Sequence, residues 1–173
     1  MTEEQNKELI RRFYAAFDRH DGDTMAACYT ANAKFHDPAF GDLHGPEVGG
    51  MWRMLTSRAE DLDVELHEHD AAGNAGTAHW IARYTFAQTG RPVVNDIRAK
   101  FVFEDGLISH HVDDFSFGRW ARQALGPMGW AITVLPPLGG AVRKRARGNL
   151  EEFLKADRKA GSAAGLESAV QPD

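Results

Sequence analysis

The sequence predicts an α+β fold in which N-terminal helices pack on a curved antiparallel sheet and enclose a mostly apolar pocket holding a few ionisable side chains. Three observations carry this. Ile10, Phe13, Tyr14 and Phe17 recur at helical spacing; four later segments between Leu62 and Phe117 alternate with a period of two; and the links between those segments are short.

Thr2-Glu3-Glu4-Gln5 reads as a capping box opening a helix to about Arg19. His20-Asp21-Gly22-Asp23 reads as a turn, with Asp23 placed to cap a short second helix through Met25, Cys28 and Tyr29. Lys34-Phe35-His36-Asp37-Pro38 is a short extended piece, because a residue before proline avoids the helical region. Gly41 to Gly45 reads as a loop, and Pro46 suits the first turn of a third helix ending near Arg58. Strands then follow over Leu62–Leu66, Ala78–Phe86 and Ile97–Phe103, with a fourth over Leu107–Phe117 after the turn Glu104-Asp105-Gly106. Beyond Phe117 the pattern is helical again over Arg119–Leu125; a Pro/Gly-rich turn and a basic helix ending near Leu154 to Lys159 come next. Residues 1–126 are expected to form the cavity domain, 127–160 a helical extension packed on it, and 161–173, which are small and polar, a disordered tail.

A chain of 173 residues, 43% hydrophobic and 26% charged, buries one core without staples. The single cysteine, Cys28, falls in an amphipathic stretch and reads as a buried thiol, which fits a reducing, cytoplasmic setting. The first residues are polar and acidic, unlike a secretory leader. The most apolar stretch, Gly126 to Val142, is interrupted by Pro127, Pro136, Pro137 and several glycines, so no integral membrane segment is expected. Net charge is −5 and unevenly placed: residues 1–117 hold 11 basic and 20 acidic side chains, residues 118–173 hold 9 and 5. An acidic body argues against nucleic acid as a partner. The run Arg143-Lys144-Arg145-Ala146-Arg147 reads as a solvated helix face or as a segment docking on an acidic surface of its own protein; with Trp130 it also admits a membrane-surface role.

Two carboxylates stand out chemically. Asp37, on an extended piece just after Phe35, can point into the pocket, titrate upward and act as a general base; its structural alternative is an Asx-type turn before proline. Period-two alternation places His111, Asp113, Phe115 and Phe117 on one face of the last strand and His110, Val112 and Asp114 on the other. Asp113 is therefore a second acid–base candidate, or a carboxylate tied to helix N–H groups, Arg119 or Arg122. His36, beside Asp37, is the leading functional histidine. His67 and His69 are expected to share a strand face, but no zinc-type spacing accompanies them, so no metal site is expected. Trp52, Met54, Trp80, Tyr84, Phe101, Phe103 and Phe115 read as core, some of it becoming pocket wall.

The order helix, Gly-Asp turn, short helix, Phe-His-Asp-Pro, helix and four-strand meander resembles the nuclear transport factor 2-like superfamily, which includes ketosteroid isomerases, limonene epoxide hydrolases and SnoaL-like polyketide cyclases. The resemblance covers residues 3 to about 126 and rests on Arg12-Phe13-Tyr14-Ala15-Ala16-Phe17, His36-Asp37-Pro38, Asp105-Gly106-Leu107-Ile108 and Asp113-Asp114-Phe115. It implies a cone-shaped sheet around a hydrophobic cavity, and a homodimer formed through the outer sheet face. Asp37 matches the proton-shuttling Asp-Pro of ketosteroid isomerases, but their oxyanion tyrosine falls at Phe13 and their protonated aspartic acid near Ala99, so both donors are missing. Asp113 matches the last aspartate of the epoxide hydrolases, whose Arg-x-Asp falls near Trp80 and Ala82. SnoaL-like cyclases use a cavity acid–base residue and no cofactor. The resemblance therefore implies a cofactor-free site for a small hydrophobic molecule. Asp37, Asp113, His36 and Tyr14 would supply its chemistry, and Phe13, Phe17, Trp52, Trp80, Ala82, Tyr84, Ala99, Phe101 and Phe115 would line it. The reaction would be an isomerisation, cyclisation or hydration; the alternative is a non-catalytic binding or dimeric interaction module of the same fold.

Overall fold

A computed structural model describes residues 2–134 and 136–168, and their side chains except at Trp130, 132–134, 136–138 and 161–168. Helix α1 (Glu3–Asp18) opens on the expected capping box, with Thr2 and Gln5 bonding reciprocally, and buries Ile10, Phe13, Tyr14 and Phe17. Helix α2 (Gly22–Ala26) is capped by Asp21, whose carboxylate accepts from the Thr24 N–H, and not by Asp23. The helix closes before Cys28, so Tyr29, expected in the helix, instead begins strand β1 (Tyr29–Asp37). Cys28 is buried as expected, and burial pushes its thiol above its ordinary range. The expected loop after Pro38 is strand β2 (Gly41–His44), which pairs antiparallel with β1. Gly41-Asp42-Leu43-His44 carries no strand signal of its own; the free edge of β1 supplies the partner. Helix α3 (Pro46–Arg58) starts on its proline as expected.

Strands β3 (Asp63–Ala72), β4 (Ala75–Phe86), β5 (Arg91–Glu104) and β6 (Leu107–Asp114) form the antiparallel meander. Asp105 and Gly106 both have positive φ, 49° and 88°, as a tight β5–β6 hairpin with right-handed strand twist requires. A bulge at His67 shifts the β3 register, so His67 stacks on His79 outside the sheet while His69 turns towards Arg11 on α1. The two histidines thus do not share a face. The sheet order is β2-β1-β6-β5-β4-β3, and β1 joins β6 in parallel. That pairing closes the N-terminal third of the chain onto the last strand, a long-range contact that local patterning does not encode. Ile10, Phe13, Trp52, Trp80, Ile97, Phe101 and Ile108 fill the concave side.

Helix α4 (Phe117–Leu125) takes over two residues after β6, so Phe117 belongs to a helix and not to the strand. Its Trp120 forms a second apolar cluster with Val93, Ala121 and Ala124, and Tyr84 and Phe115 bridge the two clusters. The Pro/Gly-rich segment is not a turn but helix α5 (Pro127–Val134), and α6 (Pro136–Ser168) follows; both begin on a proline. The segment expected to be a disordered tail starts inside the span of α6, and its residues 169–173 lie outside the described residues. No helix among the described residues is long and apolar enough to cross a membrane.

Candidate functional site

Strand alternation decides which polar groups reach the interior. On β1, Tyr29, Ala33, Phe35 and Asp37 point inward and His36 points out. On β6, His111 and Asp113 point inward. The parallel register sets Phe35 beside His111, and the antiparallel one sets Asp113 beside Ala99 and His111 beside Phe101. Five aromatic rings surround the imidazole, the nearest being Phe101 with 4.3 Å between ring centroids.

Inside this aromatic shell runs a chain of hydrogen bonds. The Trp52 indole N–H donates to the Tyr29 hydroxyl at 3.0 Å. Tyr29 lies 2.6 Å from His111 Nδ1, and His111 Nε2 lies 3.0 Å from Asp113 Oδ1, which also accepts from the Trp80 indole at 3.4 Å. A carboxylate can only accept, so the bond to Asp113 sets the direction. The imidazole carries its proton on Nε2 and donates it to Asp113; Nδ1 then accepts from the Tyr29 O–H, whose oxygen accepts from Trp52. The arrangement is a Tyr–His–Asp relay sealed from water: His111 is 0% and Asp113 4% exposed. Among the described residues, neither the Arg119 or Arg122 guanidinium nor a helix N–H holds Asp113. Burial, reinforced by the Asp113 charge, pushes the Tyr29 and Tyr14 hydroxyls well above the ordinary phenol range.

Asp37 is 8% exposed. Its Oδ1 accepts from the Ala39 N–H at 3.0 Å and the Phe40 N–H at 2.5 Å, so the Asx turn and the inward carboxyl are both present. Burial is the main cause that pushes this carboxyl up to about 7; the Phe40 amide pulls it back, the Asp113 charge raises it further, and the Ala39 amide and His36 lower it. Tyr84 is close enough to feel the Asp37 charge, and its hydroxyl accepts from the Trp120 indole at 2.8 Å.

The expected catalytic residues therefore divide. Asp37, Asp113 and Tyr14 face the interior, and the Tyr14 hydroxyl is buried with no hydrogen-bond partner among the described residues. His36 faces outward, where its Nδ1 lies 2.8 Å from Asp42 on β2. Of the expected lining residues, Phe13, Phe17, Trp52, Trp80, Ala82, Ala99 and Phe101 are buried together, with Tyr84 and Phe115 half-buried at their edge. Two depressions lie elsewhere: about 190 Å³ beside Asn6 and the hairpin tips, and about 210 Å³ between α1 and β3, where it borders the Tyr14 ring. Aromatic rings occupy the space around His111. Among the described residues no group of three or more His, Cys, Asp or Glu side chains is placed to hold a metal ion. Sequence reasoning missed Tyr29 and His111. For His111 the signal was present, because the alternation that turns Asp113 inward also turns inward the residue two before it.

The chain has many structural neighbours. A protein of ketosteroid isomerase-like fold from Catenulispora acidiphila, crystallised with trimethylamine, is 18% identical with a TM-score of 0.63, and the match covers 71% of this chain and 96% of that one. An epoxide hydrolase of the LEH-like type from M. tuberculosis is 19% identical with a TM-score of 0.60, over 78% and 98% of the two chains. A protein from Xanthomonas campestris pv. campestris classed as a polyketide cyclase is 18% identical with a TM-score of 0.61, over 70% and 98%. At these identities the likeness establishes the fold, the nuclear transport factor 2-like cone. No curated protein sequence matches the chain. The sequence profile of the SnoaL-like domain does match, over residues 10–111, a span that holds most of α1, all of α2 to β5 and the first half of β6, and ends on the histidine of the relay; the chain belongs to the SnoaL-like domain family.

Proposed function

We propose that this SnoaL-like domain is a cofactor-free acid–base catalyst acting on a small hydrophobic molecule by isomerisation, cyclisation or hydration. The observation that carries the reading is Asp37: a carboxyl inside an aromatic interior, pushed up to about 7, so that it is divided between its two protonation states near neutral pH. A general base works best with its pKa near the operating pH. Asp37 would take a proton from the ligand. Asp113 would be the second acid–base group, taking up a proton on its carboxylate and giving it back, with His111 and the Trp80 indole holding it in place, and the unpartnered Tyr14 hydroxyl would donate to an oxygen of the ligand. Aromatic walls would supply affinity without orientation, leaving specificity to these few polar groups.

The rival reading is a non-catalytic binding module. It is favoured by the missing donors at Phe13 and Ala99 and by the rings packed around His111. The molecule retained by the purified protein, identified by mass spectrometry, supplies the substrate class for a turnover assay. Asp37→Asn is expected to lower that turnover at least about 100-fold while affinity for the molecule changes little. Undiminished turnover in the variant would remove Asp37 from the chemistry.

The domain is further expected to form a homodimer through the outer sheet face, where Val94, Val102 and Val112 are exposed between charged residues. Sedimentation should return about twice the 19.1 kDa chain mass; a monomer at micromolar concentration rejects the dimer.

A further inference from the structure

The family match ends at residue 111, and 71% to 78% of this chain spans 96% to 98% of the first two structural neighbours described above. Helices α5 and α6 lie beyond the span of the family match, and the described part of α6 packs against the main core and the turn that follows Asp37. Leu150 is 2% exposed against the main core. A Cβ built on Gly50 of α3 would meet Leu154 Cδ2, so the Leu154 side chain of α6 rests directly on the bare backbone at Gly50. Two guanidinium groups then reach over the turn that carries Asp37. Arg143 Nε donates to the Pro38 carbonyl at 2.9 Å. Arg147 Nη1 donates to the Asp42 carbonyl at 2.6 Å and the Phe40 carbonyl at 3.5 Å, with Nη2 3.7 Å from Glu47. These carbonyls flank the Ala39 and Phe40 amides that hold the Asp37 carboxyl. Basic runs on helices are mostly solvated. Here two members of the run bond to backbone that directly frames a buried acid.

We propose that α6 is the roof of the Asp37 side of the site, and that Arg143 and Arg147 are positioning residues that hold the Asp37 turn closed beneath it. The inference rests on the acid–base reading of Asp37. Pro38, Phe40 and Asp42 offer three carbonyls fanned around one tight turn, and a planar guanidinium with several fixed N–H directions can span two of them where an ammonium meets one at a time.

The test uses the full chain and two substitution pairs, R143Q/R147Q and R143K/R147K, with two readouts at Asp37: carbodiimide-driven amine labelling followed by peptide mass spectrometry, and carboxyl titration by NMR. Besides Arg143 and Arg147, the charged and titratable groups acting on Asp37 are Asp113, His36 and Tyr84, which neither pair alters; loss of the two guanidinium charges would by itself raise the midpoint, and the lysine pair, which keeps the charge, separates that effect from loss of the roof. In R143Q/R147Q labelling should rise at least about tenfold, and the titration midpoint should fall by about one pH unit or more as water reaches the carboxyl, with the lysine pair in between. Labelling and midpoint equal to the unsubstituted chain would overturn the roof, whatever happens to the melting temperature. Should R143Q/R147Q fail to fold, hydrogen exchange in the unsubstituted chain decides: the Ala39 and Phe40 amides should open together with residues 143–154, and independent opening would overturn the proposal. An Asp37 midpoint near about 4 in the unsubstituted chain would remove the acid–base reading itself; a raised midpoint that the Gln pair leaves unmoved removes only the roof.

Discussion

Replacing Asp37 by asparagine is expected to make the protein more stable at pH 8 and, at pH 3, modestly less stable. The folded carboxyl titrates at about 7 against an ordinary 3.8, because burial disfavours the charge more than the two turn amides and His36 favour it. An acid raised in the folded state contributes fully below its unfolded pKa, and that contribution is lost as pH rises through the folded one. The unfolded chain releases the proton from about pH 4 upward while the folded chain keeps it to about pH 7, so over that window stability falls with pH. The interval between 3.8 and about 7, at about 1.36 kcal/mol per pH unit, amounts to a penalty of about 4 kcal/mol by pH 8. Asparagine keeps the oxygen that accepts from Ala39 and Phe40 but buries an NH₂ group, which costs roughly 1–2 kcal/mol at every pH. The variant should therefore gain about 4 kcal/mol on the parent between pH 3 and pH 8, and lead by about 2 kcal/mol at the upper end. Urea unfolding of both chains at four pH values across the range measures this directly. A difference that stays constant with pH would mean that Asp37 ionises freely in the folded protein.

His111→Phe should be the most damaging single substitution in the relay. Phenylalanine matches the ring within its aromatic cage, so packing is nearly conserved and the effect isolates the polar contribution. Both ring nitrogens are engaged, Nδ1 with Tyr29 at 2.6 Å and Nε2 with Asp113 at 3.0 Å. Without them the Tyr29 hydroxyl keeps only the Trp52 indole, and the buried Asp113 carboxyl keeps only a 3.4 Å contact with the Trp80 indole. Each group left short of a partner in the interior costs roughly 1–3 kcal/mol, so a loss of about 3 kcal/mol is expected. Adding Tyr29→Phe to the His111→Phe background should cost about 1 kcal/mol less than Tyr29→Phe alone, since its partner nitrogen is already gone. A loss below about 0.5 kcal/mol for His111→Phe, the size of an ordinary surface change, would show that the imidazole is not bonded on both sides.

What could be read from the sequence follows the range of the interactions involved. Helix α1, the start of α3 on Pro46 and the inward faces of β4 and β5 depend on neighbours two to four residues away, and periodicity reports those directly. The same is true of Asp113, and of Asp37 as the last inward residue before a proline. Tyr29 could not be placed this way. It follows a helical turn in sequence, and only its pairing with Ile108, far along the chain, makes it the first residue of a strand. Strand β2 fails for the same reason, because the edge of β1 creates it. His36 was misdirected by proximity: adjacency to Asp37 in sequence means the opposite face in a strand, where it meets Asp42 across the β1–β2 pair. The paired prolines and glycines of the C-terminal segment read as chain breakers. Gly126, at φ 60°, does end α4, but the prolines at 127 and 136 each start a helix because they stand at first-turn positions.

The parallel seam between β1 and β6 also sets an order of events during synthesis. Tyr29 and His111 are 82 positions apart, and β1 has no sheet neighbour but β2 until β6 exists. As the chain leaves the ribosome, the β1–β2 hairpin must wait with one edge of β1 unpaired, while the meander from β3 onward can zip locally as it emerges and α1 can pack on β3. High contact order places the slow step at the docking of these two halves. The relay bonds cross that seam, so the geometry of the site and the folded topology are completed in a single event, and a nascent chain halted before residue 111 holds Asp37 and Tyr29 but no relay.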